Sequence, residues 1–206
     1  MKKGLLITFE GPDGSGKSTQ VELLKQYLNN RGYQVVFTRE PGGTFIGEKI
    51  RNITLDNKNE GMNPMCEALL YAASRAQLVS EVIKPAIKAG KMVICDRFVH
   101  SSIVYQGIAR NLGIERIKGI NDAAVDGLEA DLIFMLNISY KEGLKRKAEQ
   151  KEFDRLENSG DEFHKNVFLG YETIGKIYDN ISNIDASKDE HCIHEEIIKI
   201  LEAKLK

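Results

Sequence analysis

Five short apolar runs punctuate the chain: GLLITF at 4–9, QVVFT at 34–38, MVIC at 92–95, DLIFMLN at 131–137 and the weaker ISNID at 181–185. Runs this short and continuous suit strands covered on both faces. Between them the apolar residues step by three and four. Val21, Leu24 and Leu28 predict a helix over 18–30, with Arg31-Gly32 as its stop. Met65, Leu69, Ala72, Ala76, Val79 and Ile83 predict a long helix over 63–89. Asn63-Pro64 opens it as cap and first-turn proline, Pro85 is predicted to kink it, and Gly90 ends it. Further helices are predicted over 114–126, 140–150, 162–179 and 190–204. Strand alternating with helix gives an α/β fold: a parallel five-stranded sheet flanked by helices on both faces.

The stretch at 39–47 reads as turns, and no Pro/Gly/Ser linker divides the chain, so residues 1–206 form a single predicted domain. One segment departs from the rest. Residues 145–161, KRKAEQKEFDRLENSGD, are dense in charge and poor in apolar side chains. Inside one domain such a segment predicts a short mobile lid on the surface.

Composition narrows the class. With 206 residues, 42% hydrophobic and 29% charged, a globular protein with a sizeable core is expected. A net charge of -1 argues against a surface that coats nucleic acid, though not against a local basic pocket. No run approaches the ~20 apolar residues of a membrane span. Cys66, Cys95 and Cys192 are scattered and fit no metal spacing, which points to a reduced, cytoplasmic protein.

The chemistry enters at FEGPDGSGKST, residues 9–19. Gly11 to Ser18 fits G-x-x-x-x-G-K-[ST], with a predicted strand before it and a predicted helix after it. The glycines let successive backbone N–H groups surround phosphate oxygens, and the helix turns its positive end to the same point. Lys17 adds a charge at the terminal phosphates, and Ser18 offers a hydroxyl to Mg2+. Asp96, closing the third strand in CDRF, is the acid expected to reach that ion. Arg39 ends the second strand and Arg97 follows the third. Both fall at the sheet edge where parallel sheets bind ligands, which predicts a second phosphate site facing the first. Asp13 sits among anion ligands yet carries a negative charge. A sugar hydroxyl of a second substrate is its natural partner.

These residues resemble the bacterial thymidylate kinases, enzymes of the P-loop nucleoside monophosphate kinase superfamily that pass the γ-phosphoryl of ATP to dTMP. The resemblance runs nearly end to end through FEGPDGSGKST, TREPGGT (38–44), LLYAASRAQ (69–77), CDRFVHSSIVYQG (95–107) and FDRLE (153–157). It implies a P-loop NTPase fold, dTDP formation for dTTP synthesis, Mg2+ with ATP, and a homodimer. It further implies that Gly11, Pro12, Asp13, Gly14, Ser15, Gly16, Lys17, Ser18 and Thr19 bind ATP, with Arg146 and the loop at Ala186 beside adenine. Asp13 would hold the acceptor 3′-hydroxyl, Arg39 its phosphate, and Arg97 would stand between the two phosphates. Arg51 and Ser101 would line the same pocket. Tyr71 would stack on thymine, Arg75 and Gln106 would bond its edge, and Tyr105 would crowd the sugar 2′-position.

Two departures are visible. Some family members carry a basic residue where Gly14 stands, and others place arginines in the lid, where Ala148 and Gln150 stand here. Lys151 is then the expected contact to the transferring phosphoryl, with Arg155 ordering the lid by pairing with an acid and Lys147 less important. The usual A-Y-Q also reads Val104-Tyr105-Gln106. Rival readings are a kinase for another nucleoside monophosphate or a deoxynucleoside, and a non-catalytic P-loop nucleotide switch.

Overall fold

The computed structural model describes residues 4–147 and 154–206. Strands β1 (Leu5–Glu10), β2 (Val35–Arg39), β3 (Met92–Asp96), β4 (Leu132–Asn137) and β5 (Ile181–Asp185) form one all-parallel sheet in the order β2-β3-β1-β4-β5. The predicted strands recur nearly residue for residue, and the three inner runs, β1, β3 and β4, are buried on both sides. Leu5, Ile7 and Phe9 of β1 enter one core cluster, and Leu6 enters another. On β4, Leu132, Phe134 and Leu136 face the first cluster while Ile133 and Met135 face a third. This alternation is the two-residue period of a strand covered on both faces. Each such buried Leu, Ile or Phe contributes roughly 1.5–3 kcal/mol.

Helices α1 (Lys17–Asn30) and α9 (Glu190–Leu205) cover the first cluster. The other face is covered by α3 (Pro64–Leu78), α4 (Lys84–Lys88), α6 (Ile114–Val125) and α8 (Asp161–Ile177). Between α3 and α4 lies a wide π turn, Val79–Ile83, in which Lys84 N–H reaches back to Val79 O. Pro85 lacks an N–H and crowds the preceding turn, so the predicted kink takes the form of a widened turn just ahead of it.

Two helical stretches were not foreseen. Residues 39–47 read as turns throughout, yet α2 (Phe45–Leu55) begins inside them, capped by the Thr44 hydroxyl accepting from Gly47 N–H at 2.9 Å. Helix α5 (Val99–Ser102) runs on into a second π segment, Ile103–Ala109. Helix α7 (Tyr140–Lys147) matches the described part of the predicted 140–150 helix.

All five strands point their C-terminal ends to one edge, where Arg39 is in register with Asp96 and Asn137 with Asp185, on either side of Glu10 at the end of β1. The chain leaves β1, the central strand, between neighbours reached in opposite directions. That crevice is where such sheets bind ligands.

Candidate active site

The loop Gly11–Gly16 joins β1 to α1 at this crevice. Gly11, Gly14 and Gly16 hold φ of 137°, 78° and 87°, a region that side chains avoid. Gly14 is also crowded: a Cβ there would stand 2.9 Å from the Gly143 carbonyl of α7. The position where some relatives carry a base therefore has no room for a side chain. The Lys17 ammonium folds back over the loop and donates to the carbonyls of Gly11 and Pro12, both at 2.9 Å. Burial, and then the charge of Arg97, pull its pKa down to about 8. A buried lysine resting on two carbonyls is poised to take anionic oxygens in their place.

Arg97 adopts φ 69°, rare for a residue with a side chain and costing about 1–2 kcal/mol. That backbone turns its guanidinium inward. Nη1 donates to Gly11 O at 2.7 Å and to the Tyr171 hydroxyl at 2.9 Å, and Nη2 pairs with Asp13. The Tyr105 ring lies under it at 5.5 Å. The Tyr105 hydroxyl stands 3.5 Å from Asp13 Oδ2. Behind them, Ser101 bonds both Glu10 and the Tyr171 hydroxyl. Glu10 is fully buried, and burial raises its pKa.

Beyond Arg97 opens a cavity of about 210 Å³. Asp13, Arg51, Tyr71, Arg75, Arg97, Ser101, Tyr105 and Gln106 all line it, as do Glu40, Asp154 and Leu156. Helix α3 contributes Tyr71 and Arg75, and the π segment contributes Tyr105 and Gln106. Arg75 is almost fully buried with all five N–H bonds engaged: Glu40 twice, Ser102, Asn121 and Phe98 O. Burial pushes the Glu40 carboxyl up to about 7 against the pull of Arg75. Arg51 donates to Pro41 O at 3.0 Å. The Gln106 amide nitrogen donates to Glu67 at 2.9 Å, and its Oε1 is buried with no partner among the described residues.

Other expected site residues fall elsewhere. Arg39 is absent from the cavity wall: its guanidinium pairs with Glu48 of α2 at 2.8 Å. Arg146 reaches the Ala186 carbonyl at 3.2 Å and the Gly14 carbonyl at 3.5 Å, so Gly14, Arg146 and Ala186 meet at the outer end of the phosphate loop. Ser18 and Thr19 are exposed at the start of α1. Asp96 Oδ1 is buried with no partner among the described residues, as is Ser15 Oγ. An orphaned carboxylate oxygen beside a phosphate loop suits an Mg2+ ion or its water. Among the described residues no cluster of three or more His, Cys, Asp or Glu could hold a metal unaided. Ala148, Gln150 and Lys151 lie outside the described residues, while Arg155 and Leu156 are buried rather than on a free surface. Arg155 pairs with Glu67 at 2.6 Å and donates to Thr54 O at 2.7 Å, while Leu156 enters the core. The larger groove of about 810 Å³ along α7 and α8 touches the phosphate loop at Pro12 and shares Tyr171 with the cluster around Arg97.

Sequence reasoning missed Glu10, Glu40, Glu67 and Tyr171. Glu10 and Glu40 stand inside motifs already singled out. Tyr171 shares the i, i+4, i+8 spacing of Phe163 and Val167 and reads as plain core.

Comparison with known proteins agrees with this geometry. The family profile described as thymidylate kinase matches residues 9–197. The chain is 46% identical over 200 residues to a thymidylate kinase of Finegoldia magna, covering 97% of this chain and 98% of that one. It is 48% identical over 201 residues to one of Thermosipho africanus, covering 98% and 99%. A third, from Bacillus pumilus, is 43% identical over 206 residues, covering 98% and 97%. This chain belongs to the thymidylate kinase family.

Proposed function

We infer that the protein transfers the γ-phosphoryl group of ATP to dTMP, giving dTDP and ADP. The observation that carries this reading is the junction between the phosphate loop and the cavity: Arg97 touches Gly11 of the loop and Asp13 and Tyr105 of the cavity at once. Such a group can neutralise two anions brought together in line. An oxygen of the acceptor phosphate attacks the γ-phosphorus, the bond to the β,γ-bridging oxygen breaks, and ADP leaves with that electron pair. The acceptor oxygen is already anionic, so positioning and charge neutralisation do the work and no strong base is needed. Mg2+, when bound, offsets charge on the donor phosphates, with Ser18 and Asp96 as the residues that would hold it.

Lys17 leaves the carbonyls of Gly11 and Pro12 for the donor phosphates. Asp13 takes the acceptor 3′-hydroxyl, Tyr105 crowds the 2′-position, and Tyr71 stacks on the base. Arg51 lies nearer the acceptor phosphate, and Arg39 joins it by leaving Glu48. Arg146 and Ala186 flank adenine. Arg146, beside the Gly14 carbonyl, is the basic residue of 145–161 set to reach the donor phosphates, while Lys151 lies outside the described residues. We propose a cytoplasmic location, which suits the scattered, unpaired Cys66, Cys95 and Cys192. We propose a homodimer through an exposed apolar stripe on α3.

The test is ADP release across a panel of nucleoside monophosphates. ATP consumption is expected to depend on dTMP and to be most efficient with it. Consumption without dTMP, or greater efficiency with another monophosphate, would overturn the reading. Lys17→Ala, folded, is expected to turn over at least ~100-fold more slowly, about 2.7 kcal/mol of transition-state stabilisation.

A further inference from the structure

The base end of the cavity rests on a carboxylate that the reading above leaves without a task. Glu67 of α3 is fully buried, and its two oxygens face different neighbours. Oε2 accepts from Arg155 Nη2 at 2.6 Å and from Arg110 Nη2 at 3.3 Å. Oε1 accepts from Gln106 Nε2 at 2.9 Å, with Arg110 Nε leaning on it at 3.4 Å. Both guanidiniums are fixed from outside: Arg155 by Thr54 O at 2.7 Å, Arg110 by Ser159 Oγ at 3.0 Å. A carboxylate paired with two guanidiniums can only accept. Gln106 can satisfy it in one orientation, nitrogen towards Glu67. Its Oε1 is then the atom left over, buried and without a partner among the described residues, on a side chain that lines the cavity.

We propose that Glu67 is a positioning residue for base selection: by fixing the amide of Gln106 it makes the cavity offer an acceptor, which admits a pyrimidine carrying N3–H and refuses cytosine. The inference rests on dTMP being the acceptor substrate. A buried acceptor without a donor is costly, and the N3–H of thymine or uracil relieves that cost. The N3 of cytosine carries a lone pair instead, so two acceptors would meet. Sites built on such a polar contact can reject the wrong partner by about 10⁴-fold.

Glu67→Gln tests this because it replaces an acceptor oxygen with a donor nitrogen at nearly constant shape. The two arginines still require an acceptor at the Oε2 position, so the new carbonyl oxygen stays there and the new amide nitrogen turns to Gln106. Gln106 must then rotate its own amide and show nitrogen to the base. The kcat/KM ratio of dTMP over dCMP is expected to fall at least about tenfold in Glu67→Gln. The same substitution in a Gln106→Ala background is expected to leave the ratio unchanged. Proportional losses on both substrates, or a ratio change that persists without Gln106, would overturn the proposal. Wild-type activity on dTMP is measured alongside. Its absence sinks the choice of acceptor and this inference with it, whereas wild-type activity with an unaltered ratio in Glu67→Gln sinks this inference alone. If Glu67→Gln does not fold, the wild-type amide is read directly by ¹⁵N NMR. The Gln106 NH₂ is expected to keep its shifts and slow exchange when dTMP is added. Large changes there would put the nitrogen against the base and overturn the assignment.

Discussion

Lys17 shows how a charge is kept ready without its ligand. Two carbonyls at 2.9 Å hold the ammonium, but burial and Arg97 lower its pKa from 10.5 to about 8. Bound polyphosphate favours the charged form and should return the pKa towards or above its ordinary value. Between pH 8 and 10.5 the free protein therefore carries the fewer protons, and ATP binding must take protons up. At pH 8.5 about half a proton or more is expected per ATP. Calorimetric titrations in two buffers of different ionisation enthalpy would read it, and Lys17→Ala should abolish it. Equal heats in both buffers would mean that Lys17 is already fully charged. Residues of this kind were legible in the sequence because their meaning is local: the phosphate loop is eight consecutive positions. Glu67, Glu40 and Tyr171 were not, because their roles arise from partners far along the chain. Tyr171 meets Arg97 across 74 positions, and Arg155 meets Glu67 across 88.

Among the elements, the strands were the easiest to read and the site helices the hardest. In the π segment Ile103–Ala109, residues 103–107 are buried on every side, so no polar face marks a period. The widened turn also departs from 3.6 residues, the spacing on which any helical pattern depends. Helix α2 hid for a different reason: its outer face carries Ile46 and Ile53, both about half exposed, so inside and outside look alike. Helix α7 meets the phosphate loop at a glycine whose role was also invisible. A Cβ on Gly143 would run into the Phe168 ring, 2.7 Å from Cε1, with Asp13 O at 3.5 Å. In a free helix Gly→Ala stabilises by about 1 kcal/mol. Here overpacking by about 1–3 kcal/mol should outweigh that. Gly143→Ala is expected to lower stability and weaken ATP binding, because α7 and the loop must part. Phe168→Ala should restore both relative to its own single variant. Thermal denaturation and ATP titration decide it, and a more stable Gly143→Ala would show that α7 has room to spare.

At the scale of the whole molecule, α3 has two working faces. Inward it carries Tyr71 and Arg75 to the cavity wall and Glu67 to Gln106 behind it. Outward it shows Cys66, Leu69, Ala73 and Ala76, continued by Ser80 of the following π turn, all exposed and uncharged, at spacings of three and four. An uncharged stripe of small and apolar residues along four turns is unusual on a free surface and suits close packing against another helix. Leu69 is 52% exposed there, and Ile46, Ile53 and Phe45 add apolar surface on the adjoining α2. Two copies meeting by a twofold axis would each bury the same stripe. The protein is therefore expected to sediment at twice the chain mass, and Leu69→Lys or Ala73→Glu to sediment as the single chain. Since the inner face of the same helix lines the cavity proposed for dTMP, separating the copies should also raise the KM for dTMP while leaving that for ATP nearly unchanged. Monomers with wild-type KM values would make the stripe an assembly surface only. A wild-type protein that sediments as a single chain would remove the dimer altogether.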